Sequence, residues 1–113
     1  MGIAMSNIRT AGVLATFNHE RFVEESVLSL AHQVDELIVV DDFSLDKTQD
    51  ILKGLSVPNL KLVLHEKNMG VSSSYNEAIS IAEAEIIVIQ GGDDRSLPGR
   101  VANHLRHFKS PGT

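Results

Sequence analysis

The residues best placed to do chemistry are aspartates that end two apolar runs. Leu37-Ile38-Val39-Val40 leads into Asp41-Asp42, followed by Phe43-Ser44-Leu45-Asp46. Ile86-Ile87-Val88-Ile89-Gln90 leads into Gly91-Gly92-Asp93-Asp94. Apolar, β-branched runs of this length read as buried parallel strands. In open α/β sheets, ligands sit at the carboxyl edge of such strands. A divalent cation bound with a diphosphate needs only one or two protein carboxylates, because phosphates and waters complete its octahedron. Asp93 and Asp94 suit that role. Gly91 and Gly92 would let a ligand approach the backbone closely and would permit unusual dihedrals. Asp42 could accept hydrogen bonds from a base N–H or a ribose hydroxyl. The same acids could merely close polar turns, but two pairs on neighbouring strands, one behind Gly-Gly, favour a ligand.

Composition narrows the classes. A chain of 113 residues with 42% hydrophobic content suits one domain with a modest core. The net charge of -5 argues against a nucleic-acid partner, which needs clustered Lys and Arg. Cysteine is absent, which excludes disulfides, zinc thiolates and thiol catalysis and fits a reducing compartment. No apolar run is long enough to span a bilayer. No Gly-rich P-loop and no Gly-x-Gly-x-x-Gly is present, which counts against a P-loop NTPase or a dinucleotide oxidoreductase.

Strands and helices alternate ahead of and behind the acidic corners. Residues 1–10 read as a leader. Ala11 to Phe17 reads as a first strand. Asn18 is expected to cap a helix running to about Gln33, with Val23, Val27, Leu30 and Ala31 on its apolar face. Glu36 to Asp41 is the second strand. Asp46 and Gln49 make a capping-box-like start to a second helix carrying Ile51, Leu52 and Leu55. Leu60 to Leu64 is the third strand. Val71, Tyr75, Ala78, Ile79 and Ala82 repeat at helical spacing behind Ser72, Ser73 and Ser74, which could either bind phosphate or simply cap. Glu85 to Gln90 is the fourth strand. Pro98 suits the first turn of a last helix with Val101, Leu105 and Phe108 inward. Residues 110–113 form a tail. The expected fold is α/β, a mostly parallel sheet with helices on both faces and right-handed crossovers. His104 and His107 could share a helix face, but no acid lies beside them.

Four segments carry a resemblance. Ala15-Thr16-Phe17-Asn18-His19-Glu20 is similar to the Pro-Thr-Tyr-Asn start of family 2 glycosyltransferases, which have the Rossmann-like GT-A fold. Ile38-Val39-Val40-Asp41-Asp42-Phe43-Ser44-Leu45-Asp46-Lys47-Thr48 resembles that family's Val-Asp-Asp-Gly-Ser-x-Asp-x-Thr segment. Asn68-Met69-Gly70-Val71-Ser72 with Asn76 resembles its Asn-x-Gly-Val-Ser…Asn stretch. Gln90-Gly91-Gly92-Asp93-Asp94 with Leu97-Pro98 resembles Leu-Asp-Ala-Asp-Asp followed by Leu-Pro. Together they cover residues 11 to 108. The resemblance implies a nucleotide-diphosphate sugar, a UDP-sugar first, held by Ala15, Thr16, Phe17, Asp42, Asn68, Gly70 and Gly92. It implies Mg²⁺ or Mn²⁺ at Asp93, with Asp94 as a neighbouring ligand. It also implies a saccharide or lipid-linked acceptor, of the kind used in cell-envelope polysaccharide synthesis. A cytoplasmic place, peripheral at the inner membrane face, goes with that reading.

The departures matter as much. Phe17 stands where Tyr is usual, Ala15 where Pro is, and Phe43 where Gly is. Gly91 stands where the first acid of Asp-x-Asp usually lies. The family's domain continues well past the last helix, and no Asp or Glu follows Asp94 here. The expectation is therefore the nucleotide-sugar-binding half of a glycosyltransferase, residues 11–109, unable to transfer sugar alone for want of a base. Two other readings stay open. One is a non-catalytic nucleotide-sugar-binding or assembly module. The other is a signalling receiver domain, which would not need the first strand and would need a strand-end Lys that is absent. A homodimer is expected if a sheet edge or face stays uncovered.

Overall fold

The computed structural model describes residues 9–103. Its elements are β1 (Thr10–Thr16), α1 (Val23–Ala31), β2 (Glu36–Asp41), α2 (Thr48–Lys53), β3 (Leu60–Leu64), α3 (Val71–Ile81) and β4 (Ile86–Gly91). The strands form one parallel sheet in the order β3-β2-β1-β4. Helical hydrogen bonding resumes at residues 100–103, with the Asn103 N–H donating to the Gly99 carbonyl. Residues 1–8 of the expected leader, His104, Leu105, His107, Phe108 and the tail at 110–113 lie outside the described residues, and Thr10, placed in that leader, begins β1.

Every residue of β1 and β2 is buried, which is why these segments read as unbroken apolar runs rather than alternating ones. Successive side chains leave opposite faces. Leu14, Leu37 and Val39 join Val23, Val27, Leu30 and Leu52 beneath α1 and α2. Val13, Ile38 and Val40 join Ala78, with Tyr75 and Ile81 half-buried, beneath α3. Helices therefore cover both faces. Close packing shows at Gly12, where an added Cβ would stand 2.7 Å from Leu30 Cδ2.

Several expectations need correction. α1 begins at Val23, and Asn18 does not cap it. Asn18 sits in the left-handed region at φ 57°, and its Oδ1 instead accepts the Leu45 N–H at 2.8 Å. The box at α2 is only half formed. Asp46 Oδ1 accepts the Thr48 N–H at 2.9 Å, but Gln49 turns away to donate to Asp41 Oδ2 at 2.8 Å. On α3, Val71 and Ile79 stay exposed, and the fully buried positions are Ser74 and Ala78. Those two small side chains let the helix lie close to β1 and β2, which turns the larger aliphatics outward. β1 ends at Thr16, so Phe17 belongs to the loop beyond it.

Candidate functional site

The chain runs β1 to β3 on one side of β1 and then returns to place β4 on the other. The order reverses between β1 and β4, and this is where open α/β sheets leave a crevice at their carboxyl ends. Ala15 pairs with Gly91 in that register, and Thr16 pairs with Asp41 on the opposite side. The two acidic corners thus share one edge.

The first corner is divided. Asp41 is fully buried and spent on the turn after β2. Its Oδ1 accepts the Ser44 hydroxyl at 2.5 Å, and its Oδ2 accepts the Ser44 N–H at 2.9 Å and Gln49 Nε2. Asp42 faces the β3–α3 loop. Its Oδ1 accepts the Met69 N–H at 2.6 Å and lies 2.9 Å from His65 Nδ1, while its Oδ2 accepts the Gly70 N–H at 2.9 Å. Burial works against ionising Asp42, but bonds from Met69, His65 and Gly70 outweigh it and hold its pKa below the ordinary carboxylate value. Gly70 has φ +97°, a conformation that favours glycine. Asn68 Nδ2 donates to the Asp42 carbonyl at 3.2 Å. Asp42, Asn68 and Gly70, drawn from two distant segments, therefore meet.

The second corner is a tight turn. The Asp94 N–H and the Ser26 hydroxyl both donate to the Gly91 carbonyl, at 3.1 and 2.9 Å. Neither Gly91 nor Gly92 has positive φ, contrary to the expectation of unusual dihedrals. Gly92 is required by the protein itself. An added Cβ would stand 2.4 Å from Thr16 Oγ1 and 2.6 Å from His19 Nδ1. At Gly91, an ideal Cβ would lie 3.1 Å from Asp93 Oδ1 and 3.2 Å from Asp94 Oδ2. The two exposed carboxylates converge over the place where a side chain is missing. Tyr75 lies below them and donates to the Gln90 carbonyl at 2.9 Å. Burial, then the charges of Asp94 and Asp93, raise its pKa against a bond with the Ala15 backbone. Among the described residues no group of three or more His, Cys, Asp or Glu could hold a metal ion. A cation here would need phosphate oxygens to complete its shell.

Between the corners lies a small cleft lined by Ala15, Thr16, Phe17, His19, Asp42, Val71 and Ser74. At about 90 Å³ it is below the roughly 300–1,000 Å³ usual for enclosing a ligand, so a nucleotide would lie across the edge rather than inside it. Ser74 donates back to the Gly70 carbonyl at 3.0 Å, whereas Ser72 and Ser73 are exposed.

Sequence reasoning missed four members of this edge. His19 accompanies Thr16 at 2.8 Å and could have been noticed inside the first quoted segment. His65 and Glu77, in contact at 2.5 Å, are twelve positions apart and give no spacing signal. Gln90 is 3% exposed, yet reads as the last residue of an apolar strand.

The comparisons agree with this fold. The family model for glycosyl transferase family 2 matches residues 13–113. An uncharacterized glycosyltransferase, MJ1057 of Methanocaldococcus jannaschii, is 29% identical over 105 residues, covering 87% of this chain and 36% of that protein. The crystal structure of S. aureus TarS 1-349 in complex with UDP superposes with a TM-score of 0.75 at 29% identity, over 89% of this chain and 32% of that one. The mannosyltransferase PcManGT of Pyrobaculum calidifontis, in complex with GDP-Man and Mn²⁺, gives 0.79 at 24% identity, over 92% and 33%. The chain thus spans about a third of the length of these relatives. No helix among the described residues is long and apolar enough to cross a membrane. The family match over nearly the whole chain decides against the receiver reading: the chain belongs to glycosyl transferase family 2.

Proposed function

We propose that this chain is the donor-binding part of a glycosyltransferase. A nucleotide-diphosphate sugar, a UDP-sugar first, lies across the β1/β4 crevice. Its base packs on Phe17 between Ala15, Thr16 and the remaining acceptor capacity of Asp42. Asn68 and Gly70 border the ribose, and the diphosphate reaches Gly92. Asp93 and Asp94 hold Mg²⁺ or Mn²⁺. The observation that carries this reading is the convergence of the Asp93 and Asp94 carboxylates over Gly91, within the same edge as Thr16. Hard oxygen donors beside open space suit a cation that keeps its other positions for phosphate and water. When bound, the metal would stabilise charge on the leaving diphosphate as a Lewis acid. The chain's own residues bind and orient. The Ser26 hydroxyl and the Asp94 N–H hold the turn, and Thr16 and His19 exclude any side chain at position 92.

Titration calorimetry of the 113-residue chain with UDP and GDP, with and without Mn²⁺, tests the reading. Asp93→Ala should weaken metal-dependent binding by about tenfold or more, as expected when one charge-assisted metal contact is lost. Binding of equal strength with EDTA present, or in Asp93→Ala, would sink it.

The acceptor, saccharide or lipid-linked, and a place at the inner face of the membrane belong to the same proposal. A binding role without catalysis in this chain is favoured by Gly91, which stands where the family's first acid usually lies. The isolated chain should therefore bind donor and transfer no sugar; product formation by it in a radiolabelled-donor assay would contradict this.

A further inference from the structure

We propose that His65 is a positioning residue of the donor site, acting through its charge. Held as an imidazolium between Asp42 and Glu77, it locks residues 65–70 against the end of β2. Loss of its proton loosens that loop and weakens nucleotide binding as pH rises. The nucleotide part of this proposal rests on the preceding reading.

The geometry favours the charge. His65 Nδ1 lies 2.9 Å from Asp42 Oδ1, and Nε2 lies 2.5 Å from Glu77 Oε1. The His65 and Asp42 side chains are only 10% and 7% exposed. A neutral imidazole carries one N–H, so it can donate to one carboxylate but must turn a lone pair toward the other. With both carboxylates ionised, only the imidazolium satisfies both. The facing groups are Asp42, just after β2, and Glu77 from α3; Glu66 and Lys67, in the same loop, are exposed.

The link to the site is direct. The Asp42 carboxylate that meets His65 also accepts the Met69 and Gly70 N–H groups. Gly70 enters α3, and Val71 and Ser74 of that helix line the cleft with Asp42. A neutral His65 would leave one carboxylate facing a lone pair and disturb the anchor of the loop.

Burial disfavours charged His65, but its bonds to Glu77 and Asp42 outweigh that and raise its pKa above the ordinary 6.5. A raised pKa means the clamp stabilises fully below the ordinary value and is lost as pH climbs through the raised one. Asp42, held low, stays ionised throughout this range and would fail only in acid.

The test uses the whole chain. The His65 ring nitrogens are titrated by NMR, and hydrogen exchange is followed at the Met69 and Gly70 amides, without nucleotide. UDP affinity in the presence of Mn²⁺ is then measured across the same range. His65 is expected to titrate above its ordinary value, with amide protection falling through the same midpoint. UDP affinity is expected to fall about fivefold to tenfold between about pH 6 and about pH 9, the scale of a one-unit shift. Glu77→Gln keeps a hydrogen-bond acceptor on a half-exposed helix position but removes the charge. It should lower the midpoint by about one unit, as loss of an adjacent opposite charge does. His65→Gln should flatten the affinity profile. Titration at or below the ordinary value, or protection independent of pH, would overturn the clamp. Falling protection with no UDP binding at any pH would count against the donor-site reading and not against the clamp.

Discussion

Neighbouring aspartates at the end of β2 do different work because successive residues of a strand leave opposite faces. Asp41 closes its own turn through Ser44, while Asp42 gathers a loop from beyond β3. Nothing in the pair Asp-Asp tells these roles apart, so one acid of each corner could be picked out only by analogy. Phe43, next in line, shows what analogy explains well. It holds φ 68°, a region costly for a bulky residue, at the position where the family usually has Gly. Phe43→Gly should therefore leave thermal stability nearly unchanged. Relief of about 1–3 kcal/mol of backbone strain would offset the lost side-chain contacts and the greater freedom of the unfolded chain. A fall of more than about 3 kcal/mol in urea unfolding, the lower end of the loss usual for truncating a buried aromatic, would refute this.

At the scale of elements, β2 and β3 were legible to the residue, since a largely aliphatic run bounded by polar residues or a Pro-Asn turn leaves little choice. The start of α1 was not, because Asn18 serves the neighbouring loop and the helix starts at Val23, behind Phe22, without a side-chain cap. The tie between β4 and the elements beside it was also hidden. Gln90 Nε2 donates to the Ser26 carbonyl and hydroxyl, each at 2.8 Å, and its Oε1 accepts from the Ser96 hydroxyl and from Arg100 Nη1. A buried amide thus joins α1, β4 and the segment leading to residue 100, directly behind the Gly91–Asp94 turn. Gln90→Leu restores the family's usual apolar residue and keeps the volume, but it removes the donor to the Ser26 carbonyl and the acceptor of the Ser96 hydroxyl. It should cost about 1–3 kcal/mol, the penalty for buried groups left unpaired. Equal stability of the two proteins in urea would show the network to be dispensable.

The molecule as a whole presents two sheet edges among the described residues, β3 and β4. β4 carries Ile89, 52% exposed, whose carbonyl accepts from Arg100 Nη2 at 2.9 Å. Unpaired edges with apolar side chains invite association. The expected result is a mass that rises with concentration in sedimentation, and a monomer after Ile89→Lys. A concentration-independent monomer for the unaltered chain would remove the case for a dimer.

The strand order has one more consequence, in time rather than space. β1 is made first, yet its partner on one side, β4, emerges some seventy residues later. Closing so long a loop costs entropy before any contact repays it, so the β1–β2–β3 pairings can form well before β4 docks. The crevice that would take the diphosphate exists only after that docking. A ribosome-bound chain ending before Ile86 would own half the acids and none of the crevice, which makes the donor site a late product of folding.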